Sequence, residues 1–407
     1  VEPQAERSAL TATAYGAGWV WCAPGRLLHG AWVVLQAGRV VDISDQTPAG
    51  MQAVHLGPGL LMPGLVNAHT HLELSFLADF IAKPQGDFMG WLETLVNLRP
   101  GYDRRQAKES ARRAATFAAG QGTVLAGDIT NTGRAAWAWA EAGVSVISFF
   151  EALGPARAEP PEPEMKWEGN YFSAQAVACH APYSVPSWRM QALKKKAAAI
   201  PLPMSIHLAE SRAEVEFFTG QGADGARMED FLVRRGLQKA DMDLRAGRPL
   251  AHLLALEVVD SRTLLVHGVQ LTPEELIQVA AQGASLCLCP RSNLGLTGAV
   301  ADVPAALKAG VNLALGTDSL ASCPDLSIWA EMRKLMEVYP ELDPEAVITM
   351  ATSGGAKALG LGEHFGRIVP GYCAPLVYVD LLETKKNEVL PAAVAGGGDT
   401  VKLTIVD

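Results

Sequence analysis

Paired cysteines are missing from this sequence. Its six cysteines, Cys22, Cys179, Cys287, Cys289, Cys323 and Cys373, are scattered with no Cys-x-x-Cys and no regular spacing. That pattern argues against a disulfide framework or a thiolate zinc site and predicts reduced, mostly buried thiols. Basic charge is also in short supply, 34 Lys and Arg against 43 Asp and Glu, for a net charge of -9. Phosphate binding needs a basic surface, so neither nucleic acid nor an anionic membrane is an expected partner. No apolar run reaches the length of a membrane span, and Val1 to Leu10 has neither the basic nor the apolar block of a signal peptide. A cytoplasmic protein is the expectation. Internal repeats and low-complexity tracts are absent as well. So is the Pro-Cys-x-x-Cys element that accompanies His-x-Glu in the small zinc deaminases acting on nucleic-acid bases, which removes that reading of His71-Leu-Glu73.

What the 407 residues do have, at 49% hydrophobic and 19% charged, is enough apolar surface for one large core and a small second unit. Eight apolar strand candidates start near Leu61, Thr123, Val144, Gln175, Met204, Thr263, Ala284 and Asn312. They alternate with helical stretches such as Arg104 to Ala119, Ser187 to Ala199, Pro273 to Gln282 and Leu326 to Val338, the pattern of a parallel α/β barrel. Both ends of the chain read differently, as short β-branched and aromatic strands punctuated by Gly and Pro. A charged, Leu-rich segment from Gly222 to Leu256 is longer than a barrel loop and predicts one or two helices near the fifth and sixth strands.

The first strand candidate ends in His69-Thr-His71. Strand side chains repeat their direction every second residue, so the two imidazoles point to one side, within reach of one ion. Three later strand candidates also end in a ligand or an acid-base group: His207, with Glu210 three residues on, His267, and Asp318. Strand ends of a parallel barrel converge on one face, where active sites of that fold lie. Each of these residues taken alone is compatible with a satisfied core histidine, a capping aspartate or a helix-capping glutamate.

In this order they resemble the amidohydrolase superfamily, in its metal-dependent aminohydrolase branch of deaminases and chlorohydrolases. The resemblance spans nearly the whole chain. It implies an α/β protein with a (β/α)8 TIM barrel over 61–362 and a small β-sandwich made from 1–60 and 363–407. It implies a metal site of His69, His71, His207 and Asp318. Binuclear relatives carry a lysine on the fourth strand, and the run Gln175 to Tyr183 has none, so one divalent ion is expected. Zn²⁺ suits imidazole and carboxylate ligands, and Fe²⁺ or Mn²⁺ can occupy such a set. Glu210 stands where the deaminases place a proton shuttle, with His267 and Asp318 beside it to orient and activate water.

For substrate, the resemblance points to Trp91 and His180, in Met89-Gly-Trp91-Leu and His180-Ala-Pro-Tyr183. The acidic residue that binds ribose two positions before the tryptophan is Met89 here, with Glu73 or Asp87 as substitutes. The first loop is most similar to a subgroup containing the aminodeoxyfutalosine deaminases. Arg291, in Cys289-Pro-Arg-Ser-Asn293, is a candidate fork for a substrate carboxylate or else a surface arginine paired to an acid. The expected activity is therefore hydrolytic deamination of an exocyclic amine on an N-heterocycle, such as 6-aminodeoxyfutalosine, 5′-methylthioadenosine or S-adenosylhomocysteine. Alternatives are a guanine-, cytosine- or triazine-type deaminase or chlorohydrolase, and a catalytically retired ligand-binding barrel. The expected partner is a small-molecule substrate, with a homo-oligomer left open.

Overall fold

A computed structural model describes residues 12–81, 86–98, 103–154, 159–244, 247–382 and 384–405; Val1 to Leu10 lie outside them. Eight parallel strands form the centre: β1 (Leu65–Thr70), β2 (Thr123–Thr130), β3 (Ser145–Ala152), β4 (Tyr171–Cys179), β5 (Met204–Leu208), β6 (Thr263–His267), β7 (Ser285–Leu288) and β8 (Asn312–Leu315). Each pairs with its neighbours in sequence order. A Thr70–Asp318 bridge brings β8 back to β1, with the Thr317 and Asp318 N–H groups donating to the His69 carbonyl at 3.0 and 3.1 Å. The strands are buried on both faces, β1 and β2 at every position, because helices cover the outside and side chains fill the inside. Unbroken apolar runs, not alternating ones, are the sequence form of such strands.

Helices return the chain between strands at the expected places, including Arg104–Gly120, Ser187–Ala197, Pro273–Ala281 and Ile328–Val338. Their ends follow local chemistry. Asp103 caps the first by accepting the Arg105 N–H at 2.6 Å, and Thr272 with Glu275 closes a capping box on the third. One strand was not foreseen: Glu164–Glu168 folds back antiparallel on β4.

The ends of the chain build two further sheets. One has four strands, Thr13–Gly16, Trp32–Gln36, Arg39–Ser44 and Gln52–His55; the other has five, Trp19–Ala23, Arg26–His29, Leu60–Pro63, Leu376–Val379 and Val401–Ile405. Val20, Val33, Leu35, Leu61 and Tyr378 pack into one core between them. The run starting at Leu60 thus serves two sheets. Leu60–Pro63 pairs with Leu376–Val379, and the barrel begins only at Leu65, which corrects the expected boundary at residue 61. Gly64 makes the change of sheet, and a Cβ there would lie 2.4 Å from a methyl of Val124.

All six cysteines are free and buried. Among the described residues no helix is long and apolar enough to cross a membrane.

Candidate active site

The C-terminal ends of the barrel strands meet as the sequence predicts. His69 lies within β1 and is fully buried, and His71 follows at the start of the 3-10 helix Leu72–Asp79. His207 comes from β5, His267 ends β6, and Asp318 lies just past β8. Their reactive atoms converge. The Nε2 atom of His69 is 3.2 Å from that of His71 and 3.3 Å from that of His207, and Asp318 Oδ1 is 3.5 Å from His71 Nε2. Two nitrogens bound tetrahedrally to one Zn²⁺ at about 2.0–2.1 Å lie about 3.3 Å apart, so these side chains already have the spacing of a shared ion.

Neighbouring groups fix how each ligand faces. The His207 Nδ1–H donates to the His180 carbonyl at 2.8 Å, which leaves the Nε2 lone pair turned inward. Ser292 and Ser322 hydroxyls donate to Asp318 Oδ2 at 2.6 and 2.9 Å and leave Oδ1 facing the imidazoles. The turn after His71 is tied down by Asp128, whose Oδ1 accepts the Leu72 N–H at 2.8 Å. Asp318, His267 and Ala209 all take left-handed backbone angles, with φ of +58, +76 and +50. Such angles are uncommon for residues with a side chain and occur where structure holds a functional group in place.

Opposite the imidazoles stands a second group. Glu210, His267 and Asp318 each offer a ligand atom within 4.8 Å of the others, and His267 Nε2 is 3.6 Å from Glu210 Oε1. Burial, then Asp318, then Glu214, push the Glu210 carboxyl well above the ordinary range, so it favours its proton. Burial drives the His267 imidazole down to about 3 and keeps it neutral, with Asn293 on Nδ1 at 3.0 Å. A neutral carboxyl is able to donate a proton, and an imidazole without charge does not compete with a cation next to it.

The site floors a cleft of about 1060 Å³. Its inner wall includes His71, Glu151, His180, His207, Glu210, His267 and Asp318. Trp91 and His180, both expected in the substrate site, line it. The Trp91 indole N–H is anchored on the Ala321 carbonyl at 3.0 Å, and His180 Nδ1 lies 2.6 Å from Ser184 Oγ. The helices expected between Gly222 and Leu256 are Ala223–Val233 and Pro249–Ala255, and the end of the first, with Phe231 to Leu237, roofs the cleft.

Two expectations for substrate contacts do not hold. Arg291 does not line this cleft: its Nε donates to Glu331 Oε1 at 2.6 Å and its Nη2 to Asp325 Oδ1 at 2.8 Å. The guanidinium neutralises a fully buried glutamate and is not available to a ligand. Glu73 is also turned away. Strand geometry ends at Thr70, and Glu73 lies in the 3-10 helix that follows His71. The Glu73 carboxylate instead accepts from the Thr130 hydroxyl at 2.7 Å and the Asn131 N–H at 2.9 Å, and it borders a different cavity. Met89 is buried in the apolar cluster beneath the cleft, and Asp87 caps Gly90 and pairs with Arg227 at 3.1 Å.

Sequence reasoning passed over Ser292, Asn293 and Ser322. The first two lie beside Arg291 in the helix that follows β7, and that position is their signal in the sequence. Ser322 carried none.

The model of the Amidohydrolase family matches residues 60–407. An aminodeoxyfutalosine deaminase of Deinococcus radiodurans is 31% identical over 359 residues, 83% of this chain and 82% of that protein. A 5-methylthioadenosine/S-adenosylhomocysteine deaminase of Halobacterium salinarum is 30% identical over 395 residues, 91% of this chain and 85% of that one. A solved aminofutalosine deaminase of Helicobacter pylori, in complex with methylthio-coformycin, has a TM-score of 0.83 at 22% identity, over 96% of this chain and 100% of the other, and so shares the fold. An adenosine deaminase from Xanthomonas campestris with bound zinc has a TM-score of 0.76 at 25% identity, over 97% of this chain and 91% of that one.

Proposed function

The chain belongs to the amidohydrolase family, and from that premise we propose that it is a metal-dependent hydrolytic deaminase of an adenosine-like compound, with release of ammonia. The observation that carries this reading is the pairing of two groups across one cleft floor. Three imidazole nitrogens lie 3.2 to 3.3 Å from neighbour to neighbour, and Glu210, His267 and Asp318 face them within 4.8 Å of one another. His69, His71, His207 and Asp318 would hold one divalent ion. Zn²⁺ suits this donor set best, with Fe²⁺ and Mn²⁺ also compatible. Such an ion supplies Lewis-acid activation of the attacking water.

The protein groups handle the protons. Deamination joins the water oxygen to the ring carbon and breaks the exocyclic C–N bond, and both water protons are delivered, one to the ring nitrogen and one to the leaving amine. Glu210, held protonated by burial, donates to the ring nitrogen beside the reacting carbon. Asp318, fixed by two serine hydroxyls, accepts a proton from the water through Oδ1. Asp318 passes that proton to the leaving amine, the second water proton leaves the new hydroxyl as the ring carbonyl forms and restores the proton of Glu210, and neutral His267 orients the water between the two carboxyls. Trp91 and His180 hold the rest of the substrate. Six buried free cysteines accord with a reducing, cytoplasmic setting.

Relatives are named for aminodeoxyfutalosine and for 5-methylthioadenosine with S-adenosylhomocysteine, so those compounds define the panel. Ammonia release is measured from each of them, from adenosine, from guanine and from a chlorotriazine. The 5′-extended adenosines are expected to be preferred. A protein that prefers guanine or the chlorotriazine refutes this substrate class.

A further inference from the structure

Glu210 needs more than a proton to act: its carboxyl has to face His267 and Asp318, and the backbone that aims it is strained. β5 ends at Leu208, Ala209 takes a left-handed φ of +50, and the helix Arg212–Thr219 starts two residues after Glu210. A residue with a side chain keeps such an angle only where its surroundings fix it.

Two sets of hydrogen bonds fix this turn. On one side the end of β6 grips it. The Gly268 N–H donates to the Leu208 carbonyl at 3.0 Å, and the Gln270 N–H donates to the Ala209 carbonyl at 2.8 Å. On the other side stands Glu214, 1% exposed, in the first turn of the helix. The Ser211 hydroxyl caps that helix by accepting the Glu214 N–H at 3.3 Å. In a capping box the carboxylate three positions on accepts the N-cap N–H in return, which here would be that of Ser211. Instead Glu214 Oε2 accepts the Glu210 N–H at 3.1 Å, and the same carboxylate accepts the Ala209 N–H. The bonds have moved off the helix and onto the turn that aims Glu210.

A cap alone does not call for this arrangement. Glu214 Oε1 is buried with no hydrogen-bond partner among the described residues, and burial pushes the carboxyl up to about 7, opposed by the two N–H groups and the Arg248 charge. An exposed side chain would cap the helix without burying a carboxylate.

We propose that Glu214 is a positioning residue: it bonds the backbone of Ala209 and Glu210, locks the left-handed turn, and so keeps the Glu210 carboxyl opposite His267 and Asp318. The inference rests on the proton-transfer role given to Glu210 above and adds the group that aims it.

The test compares variants of the metal-loaded protein by two readouts, ammonia release from the substrate that the parent prefers and the crystal structure of each variant. Glu214→Ala leaves two N–H groups without their acceptor. Its kcat should fall by roughly 10- to 100-fold, the scale for a catalytic group displaced by about 1 Å, with KM and metal content unchanged. Glu214→Asp keeps the charge but withdraws the carboxylate by one methylene, so its kcat should also fall, by about tenfold. It decides the matter if Glu214→Ala does not fold, and it separates position from charge. In its structure the Glu210 carboxyl should have left its place 3.6 Å from His267 Nε2. Ser211→Ala removes the cap of the same helix but not the bonds to the turn; it should lower the denaturation midpoint and leave kcat at the parent value. A parent-like kcat in Glu214→Asp, a Glu210 carboxyl unmoved in its structure, or an equal loss of kcat in Ser211→Ala overturns the inference. If the parent releases no ammonia from any compound of the panel, the deaminase reading falls, and the place of Glu210 in the Glu214→Asp structure still decides whether Glu214 aims it.

Discussion

At the inner end of the cleft Asp318 is held by Ser292 and Ser322, His207 by the carbonyl of His180, and His71 by a turn pinned to Asp128. At the outer end Arg235 rests on a phenyl ring, and the walls are leucines. The inner wall is built from strand ends, and Asp318, His207 and the turn after His71 are each held by hydrogen bonds to protein. The outer wall is built mostly from apolar side chains, Leu92, Leu95, Val96, Phe231, Leu232 and Leu237. The inner wall comes from the barrel strands, and the outer wall from two segments outside them, the helix Phe88–Leu98 after β1 and the segment between β5 and β6.

The severest way to break this contrast is to remove the imidazoles. The double variant His69→Ala, His71→Ala is expected to lose its divalent metal and all measurable deamination, checked by metal analysis on protein purified without added metal. Retained metal, or two ions per chain in the parent, contradicts the four-ligand site. Next in size is Glu210→Gln, which keeps shape but not proton transfer. Its kcat should drop by roughly 10² to 10⁴ with metal content unchanged. A rate within a few-fold of the parent would return Glu210 to a capping role.

Arg291→Met tests Arg291 as a structural arginine. It leaves Glu331 buried without its cation, and breaking such a pair costs about 3 to 5 kcal/mol. Denaturant unfolding should show that loss, while the preference among the compounds of the panel stays that of the parent. A changed preference with unchanged stability would return Arg291 to the substrate site.

The smallest effect is a slope. Burial, opposed by the Leu72 N–H, raises the Asp128 carboxyl to about 8. Its folded value exceeds its unfolded one, so the folded state holds the extra proton and stability falls as pH rises between them. That contribution changes by at most about 1.4 kcal/mol per pH unit. Asp128→Asn should flatten the curve of unfolding free energy between pH 5 and pH 7 relative to the parent. Parallel curves would show that Asp128 is ionised in the folded protein.

The sequence made the inner wall legible and left the outer one dark, for a physical reason. A parallel barrel strand is a short apolar run whose last residues have one destination, the common face, so His69, His207, His267 and Asp318 could be placed from their positions alone. Where the backbone leaves the strand that logic stops. Glu73 is only two residues past His71, yet the 3-10 helix turns it to the loop after β2. On the helix Pro290–Thr297 consecutive residues diverge by about 100°, so Ser292 and Asn293 reach the site while Arg291 points to Glu331. The side that a helix presents is decided by what packs against it, and Ala223–Val233 packs chiefly on the preceding helix Arg212–Thr219 and also on Phe88–Leu98, which is distant in sequence. Nothing local in the chain announces that Arg235 lines the cleft.

The change of sheet at Gly64 has a consequence for anyone recombining such proteins. Leu60–Pro63 and Leu65–Thr70 are joined by Gly64 alone, the first paired with Leu376–Val379 and the second carrying His69. A chimaera that grafts this barrel onto another protein's end sheets has to cut between the two strands or import both. If the chain is cut at Gly64, the strand that carries His69 inherits the misfit. The end sheets, though far from the cleft in function, are therefore not an exchangeable part but the bench on which the first ligand is mounted.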